Sequence, residues 1–263
     1  METNTNSKLP GISILIPSYN TPKAYLVECI NSIIKQSCIN HYRFEIVWIN
    51  DGSNEQCTLE LEESLKLFNN IPTIHLIYNK LDKNKGIVDA LNHGLDLCTN
   101  ELIFRMDADD IMHVKRIQKQ VDFMNKNPKC MILGTLIKEF SIINGIMEYS
   151  KRMVHAHPEY YSSEDFLKNP IPWFMNHPTL CYRKHAIEQI GKYNSDDTLI
   201  KYSAMEDHEL QLRFLKNFGA VYNLQEVLLY YRMHDSQITR THKNVNQNEV
   251  RKHIINKIFY NKQ

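Results

Sequence analysis

Residues 104–111 read FRMDADDI, which sets Asp107, Asp109 and Asp110 directly after the apolar run ELIFRM. Carboxylates crowded at the end of a buried strand repel one another and lose hydration, so a compensating charge is expected beside them. Asp107 and Asp109, two residues apart, point to the same side if extended geometry persists. Oxygen donors of this kind suit Mg2+ or Mn2+, which keep several waters and also bind phosphate oxygens. The structural alternative is that Asp109 or Asp110 caps the helix containing Val114. A second acidic pair, Glu206-Asp207, opens the amphipathic segment MEDHELQLRFLKN. Such a pair either favours a helix N-terminus or accepts protons. Arg232 and His234, two apart in YYRMH, offer a cation and an imidazole on one face of a strand.

These groups need elements to hold them. GISILIPSYN (11–20) and FEIVWINDGS (44–53) read as strands buried on both faces, each ending in turn residues. Helices are expected over Tyr25–Gln36 and from about Gln56 to Phe68. A third strand, Ile74–Tyr78, leads through NKLDKNKG into a helix over Ile87–Leu97, and ELIFRM supplies the fourth strand. Strands alternating with helices imply parallel pairing, with ligands bound beyond the carboxyl ends of the strands. Tyr19, Asp51 and Asp107 each lie just past such an end. The second half is less regular. It contains a helix near Val114–Asn125, a strand CMILGTLIKEF, a hairpin through Asn144-Gly145, and a Pro-rich loop, NPIPWFMNHPTL. The helix bearing Glu206-Asp207 and the strand VLLYYRMH follow.

Composition narrows the classes. The chain has 263 residues, enough for one sizeable domain, and 31 Lys and Arg against 30 Asp and Glu. A formal net charge of +1 gives no global field to attract nucleic acid. No apolar run approaches the roughly 18 residues of a membrane span, and the start METNTNSKLP lacks the pattern of a secretory signal, so a cytoplasmic location is expected. Cys29, Cys38, Cys57, Cys98, Cys130 and Cys181 form no CxxC pair and read as buried free thiols. From about Asn246, Val250, Ile254, Ile255 and Ile258 recur at helical spacing between basic residues. This segment reads as a helix docked on the domain, with peripheral membrane contact at the cytoplasmic face as the alternative.

SILIPSYN, VWINDGSNEQ, NKGIVDALNHGL and FRMDADDI, in this order and spacing, resemble the nucleotide-sugar-binding half of family 2 glycosyltransferases. The resemblance extends over roughly residues 11–236. It implies a GT-A-like, Rossmann-type α/β fold with a mostly parallel central sheet flanked by helices. It frames a polar tail at 1–10, a single domain at 11–240 and a helical extension at 241–263. The implied reaction is inverting, metal-assisted transfer from a nucleoside diphosphate sugar, a UDP-sugar by expectation, to a hydroxyl of a glycan, lipid, protein or small molecule.

Residue by residue, the resemblance places Pro17, Tyr19 and Asn20 beside the nucleobase, with Asp51 accepting a proton from its edge. Asn50 stands where the family more often has Asp. Asn84, Gly86 and Asn92 match positions near the nucleotide. Asp107 is expected at the ribose or the metal's water shell, and Asp109 and His234 as ligands of Mn2+ or Mg2+. Arg232 is assigned to the departing diphosphate, and Asp207 to the general base with Glu206 as alternate. His177 and Thr179 match a segment close to donor sugar and acceptor, and Trp173 offers a face for a sugar ring or for the core. Arg105 reads equally well as an ion-pair partner, His208 and Glu209 as solvated or structural, and His155-Ala-His157 as surface. Two other readings remain open. A nucleotidyltransferase would usually carry a Gly-rich phosphate loop, which SYNTPKAY does not supply, and a binding module would hold donor without turnover.

Overall fold

The computed structural model describes residues 9–150, 157–198, 205–235, 237 and 246–260. Its first half is the expected alternation: β1 (Gly11–Ser18), α1 (Lys23–Ile34), β2 (Arg43–Asn50), α2 (Glu55–Leu65), β3 (Ile74–Lys80), α3 (Ile87–Leu97) and β4 (Leu102–Arg105). β1 pairs in parallel with β2 on one side and β4 on the other, and β2 pairs with β3. β1, β2 and β4 lack polar alternation because both of their faces are buried, while β3 at the sheet edge is half-buried. Leu15, Val47 and Ile49 face a core cluster with α3, whereas Ile14, Ile46 and Trp48 face one with α1 and α2.

Pro17 lies in the centre of this sheet. Met106 N donates to Leu15 O, so Pro17, two residues on, turns its imide nitrogen to the same side. β4 pairs with β1 only as far as Leu15, and the missing N–H therefore breaks no ladder bond.

The chain continues through β5 (Ile111–Met112), α4 (Arg116–Lys126), β6 (Ile132–Ile143), β7 (Ile146–Tyr149), β8 (Tyr160–Ser162), α5 (Ser163–Lys168), β9 (Cys181–Arg183) and α6 (Lys184–Gln189). α7 (Glu206–Phe218), β10 (Ala220–Arg232) and α8 (Gln247–Ile255) complete the described elements. The sheet order is β3-β2-β1-β4-β9-β6-β10-β5, with β7 added to β6 and β8 to β10. β9 runs antiparallel between β4 and β6, while β6 and β10 pair in parallel with two register shifts in β10 that curl this end.

Three expectations change in detail. The helix near Val114 begins at Arg116, because Ile111 and Met112 pair with β10 and His113 N donates to Leu228 O. Its N-cap is Lys115, so neither Asp109 nor Asp110 caps it. The final strand reaches back to Ala220, directly after Gly219 ends α7 in the left-handed region. The Asn144-Gly145 turn is present, both residues at positive φ, as a two-residue hairpin with the sheet's twist requires. Of the cysteines, Cys57 is half-buried and the others are buried, all as free thiols. No described helix is long and apolar enough to cross a membrane.

Val250, Ile254 and Ile258 of the C-terminal segment are buried with Leu210, Phe214 and Leu215 of α7. The apolar stripe of α8 therefore faces the core and is not free to meet a membrane.

Candidate active site

Strand ends bring the acidic residues together. β4 delivers Arg105 and, in the loop beyond it, Asp107, Asp109 and Asp110, each with a carboxylate oxygen within 4.8 Å of the others. Arg105 Nη2 meets Asp107 Oδ1 at 2.6 Å, which supplies part of the compensation the sequence demands. Burial opposes the Arg105 charge, but Asp107, Tyr193 and Asp110 together outweigh it and hold the guanidinium above its ordinary range. Burial pushes the Asp107 carboxyl up, against the pull of Arg105. Asp110 is fully buried and is driven well up by burial and by Asp109.

β10 meets this loop at its carboxyl end. Arg232 N donates to Asp110 Oδ1 at 2.9 Å, and Arg232 Nε donates to the Asp109 carbonyl at 2.7 Å. His234 Nε2 lies 2.8 Å from Asp109 Oδ2. Gln237 bridges the turn, donating to Arg232 O and accepting from His234 N.

α7 arrives from the other side. Asp107, Asp109, Arg105, Glu206 and Asp207 line one cleft of about 420 Å³, together with Trp173 and His177. Burial, then the Asp207 charge, raises Glu206, whose Oε2 is buried without a hydrogen-bond partner. Burial also raises Asp207, offset by the His208 amide that donates to its Oδ1 at 2.6 Å. Asp207 is the more accessible of the two. Carboxyls lifted toward neutrality beside a fixed guanidinium are suited to taking up a proton near the working pH.

The donor set fits a divalent cation. Asp110 Oδ2 is buried and unpartnered, and three clustered carboxylates carry more charge than Arg105 balances. Hard oxygen ligands with free lone pairs suit Mg2+ or Mn2+. Asp107, Asp109 and Asp110 would hold the ion, with His234 beside Asp109.

Elsewhere the expected nucleotide residues form a framework. Asn20, at φ 49°, accepts from Asn54 N through its side chain while its own amide donates to Ser53 Oγ. Asp51 accepts from Lys85 N and Gly86 N at 2.8 and 2.9 Å, pinning the loop after β3 over the loop after β2. Gly52 is required there: at φ +68° a Cβ would lie 2.2 Å from the Lys83 carbonyl carbon. Gly86, at φ +91°, meets open space, so its backbone conformation rather than close contact calls for glycine. Tyr19 and Asn84 are exposed beside this framework.

Several roles are corrected. Arg232 is not free to meet a diphosphate. It is 1% exposed, pairs with Glu28 of α1, and lies between the Tyr25 and Phe140 rings at 4.2 and 4.6 Å. Asn92 is engaged at both ends with the Tyr193 backbone, and Tyr193 Oη meets His177 Nε2 at 2.7 Å. The Asn92 side-chain amide is thus committed to the Tyr193 backbone, and through Tyr193 it is linked to His177. Thr179 is fully buried, accepting from Thr135 N and donating to Asn176 O, so it faces no acceptor. His157 is not at the surface: it is buried, lines the cleft and lies 3.0 Å from Asn176 Oδ1, while His155 lies outside the described residues. Of the two readings for His208 and Glu209, solvated or structural, the burial of both and the pairing of Glu209 with Arg213 fit the structural one. Trp173 lines the cleft with its ring 5.5 Å from His208.

Sequence reasoning did not place Asp110 among the metal ligands, Arg105 in the cleft as a cation, or Glu28 beside Arg232. Adjacency to Asp107 was the available signal for the first two. Glu28, 204 residues from Arg232, gave none.

Comparison with known proteins agrees with this architecture. The family model "Glycosyl transferase family 2" matches residues 13–191. The amylovoran biosynthesis glycosyltransferase AmsE of Erwinia amylovora is 30% identical over 87% of this chain and 78% of its own length. The UDP-Gal:alpha-D-GlcNAc-diphosphoundecaprenol beta-1,3-galactosyltransferase of Escherichia coli is 30% identical over 84% of this chain and 73% of its own. Among solved structures, S. aureus TarS in complex with UDP-GlcNAc superposes with a TM-score of 0.67 at 21% identity, covering 94% of this chain and 65% of that one. The mannosyltransferase PcManGT from Pyrobaculum calidifontis, in complex with GDP-Man and Mn2+, gives 0.62 at 14% identity over 88% of this chain and 59% of that one. The chain thus spans under two thirds of these solved chains, which attest the GT-A fold. With the family model matching well over half of the sequence, this chain belongs to glycosyl transferase family 2 and is a glycosyltransferase.

Proposed function

We propose that the chain transfers a sugar from a nucleoside diphosphate donor, a UDP-sugar, to an acceptor hydroxyl with inversion at the anomeric carbon. The observation that carries this reading is the convergence of Asp107, Asp109, Arg105, Glu206 and Asp207 on one cleft. The UDP-Gal in the E. coli relative's name and the UDP-GlcNAc bound to TarS favour a UDP donor.

Asp207 accepts the acceptor's proton. It is the less buried of the raised pair, and its charged form is favoured by the amide of His208 at the N-terminus of α7. As the hydroxyl oxygen attacks, its bond to the anomeric carbon forms while the bond to the diphosphate oxygen breaks on the opposite face. Glu206, more strongly raised, keeps its proton and limits the negative charge beside Asp207. Arg105, whose Nε and Nη1 are buried without hydrogen-bond partners, holds Asp107 through Nη2 and places its charge beside the cleft. Arg232 acts indirectly, by fixing the Asp109 main chain. Bound Mn2+ or Mg2+, held by the acidic cluster and His234, would supply charge stabilisation for the leaving diphosphate. Trp173, which lines the same cleft, offers its ring face to a sugar.

Incubation with Mn2+ and a panel of UDP-sugars and GDP-mannose, followed by assay of free nucleoside diphosphate, tests the reading. Diphosphate released from a UDP-sugar with an inverted glycoside is expected. Pyrophosphate release, or donor binding without turnover, overturns it.

A further inference from the structure

The hairpin of β6 and β7 carries a dense run of exposed apolar side chains. Ile142, Ile143, Ile146 and Met147 are between 39% and 65% exposed and flank the Asn144-Gly145 turn. Cross-strand pairing sets Ile142 against Met147 on one face and Ile143 against Ile146 on the other. The tip is therefore apolar on both faces, two strands or about 5 Å wide. A flat partner surface would cover one face and leave the other wet. A medium that surrounds the tip covers both.

Behind the tip the chemistry is zoned. On the face of Ile142 and Met147 stand Tyr149 and Tyr230, their rings 5.9 Å apart, with His113 6.2 Å beyond Tyr230. Lys138 is in register with Tyr230, and Lys115 lies two residues from His113. Neither lysine makes an ion pair among the described residues. The hairpin's carboxylates, Glu148 across from Ser141 and Glu139 two residues before Ser141, lie on the opposite face. An apolar tip, an aromatic collar and unpaired cations match, in that order, acyl chains, the interfacial zone and anionic headgroups.

We propose that this hairpin is a membrane-docking finger whose tip inserts into an anionic lipid surface. α8 does not compete for that role, since its apolar stripe is buried. The finger is continuous with the cleft. Ile137 and Glu139 of β6 line the cleft on the face that carries Ile143, and four residues of strand span about 13 Å. The docked surface would lie at that distance from the cleft's edge, within reach of a hydroxyl on a membrane-held headgroup. The docking stands whether or not the acceptor is a lipid.

Co-sedimentation of the full chain with phosphatidylcholine vesicles, with and without phosphatidylglycerol, tests this. The wild-type protein is expected to partition onto phosphatidylglycerol vesicles, more weakly at high salt. A triple variant, Ile142→Ser with Ile143→Ser and Ile146→Ser, should partition at least about tenfold less, with its thermal midpoint unchanged because the replaced side chains are exposed. As a second readout, the tryptophan introduced by Ile146→Trp should shift its emission to the blue on vesicle addition and be quenched by brominated acyl chains. Equal partitioning of wild type and triple variant, or an unshifted emission from the Ile146→Trp protein, overturns the proposal. So does a dimer that the triple variant dissolves in the absence of vesicle binding, which would assign the hairpin to a second copy of the chain.

Discussion

Replacing Glu206 with Gln should change how the fold responds to pH, and the direction follows from burial. Glu206 is 8% exposed, and burial together with the Asp207 charge raises its carboxyl above the ordinary value of 4.5. The folded state therefore holds this proton more tightly than the unfolded chain does. As pH rises past about 4.5, the unfolded chain ionises first, so stability falls until the pH passes the folded value and then levels. A rise of one in pKa corresponds to about 1.4 kcal/mol, or roughly 3–6 °C of thermal midpoint in a chain of this size. Glutamine keeps the shape and removes the titration. Asp51, Asp107, Asp110 and Asp207 are also raised, but they remain in both proteins and cancel in the difference. Thermal midpoints of wild type and variant, measured in metal-free buffer from pH 5 to 8, should diverge in the variant's favour with rising pH, by about 3 °C or more. A constant offset is compatible with a changed hydrogen bond. Parallel curves would show that Glu206 ionises normally and that the cleft does not elevate its acids.

The remaining predictions concern the reaction and its supports. Asp207→Asn should lower kcat by about 10²–10⁴ while donor affinity, measured by calorimetry, is retained; full turnover would assign the base elsewhere. Asp109→Asn should weaken Mn2+ binding, followed by electron paramagnetic resonance of free Mn2+, by more than about tenfold even without donor. Glu28→Gln leaves the Arg232 guanidinium buried and unpaired on one side. Because Glu28 itself is 38% exposed at the side chain, water replaces part of the pair, and a loss of about 1–2 kcal/mol in urea unfolding is expected. Arg232→Lys should raise the Mn2+ requirement with little change in the donor's affinity for the metal-saturated protein, since Arg232 touches Asp109 and not the open cleft.

Periodicity made the first half of the fold legible because β1, β2 and β4 are buried on both faces and each helix shows one apolar stripe. The positions of Asp51, Asp107 and Asp109 were legible for the same reason, since the end of a parallel strand is a place that local pattern reveals, although the Asp51 oxygens accept from Lys85 N and Gly86 N. Arg232 was misread by the same logic. A cation two residues from a candidate metal-ligating histidine looks available to a phosphate, and only the tertiary contacts show Tyr25 and Phe140 enclosing it. Asn92 and Thr179 fail alike: each has the right neighbours in sequence, yet its polar atoms are satisfied by backbone groups brought in from 101 and 44 residues away. Polar side chains near a site serve either the ligand or the scaffold, and the choice is set by long-range partners that spacing does not encode.

The same reasoning explains why the acidic loop tolerates its charge. Arg105 neutralises Asp107 from within the strand, the Arg232 amide reaches Asp110, and the Arg232 side chain holds the loop's backbone without a hydrogen bond to any carboxylate of the triad among the described residues. This arrangement leaves the Asp109 carboxylate bonded, among the described residues, to the imidazole of His234, and leaves Asp110 Oδ2 unsatisfied. A structure built only for stability would bring a guanidinium to these oxygens, because an unpaired buried carboxylate is destabilising. Here the buried Arg232 is instead committed to Glu28 on the far side. The fold thus gathers the acidic groups on the cleft with Arg105 as the cation beside them and keeps Arg232 in the supports behind, a distribution that fits the proposed cation-assisted transfer.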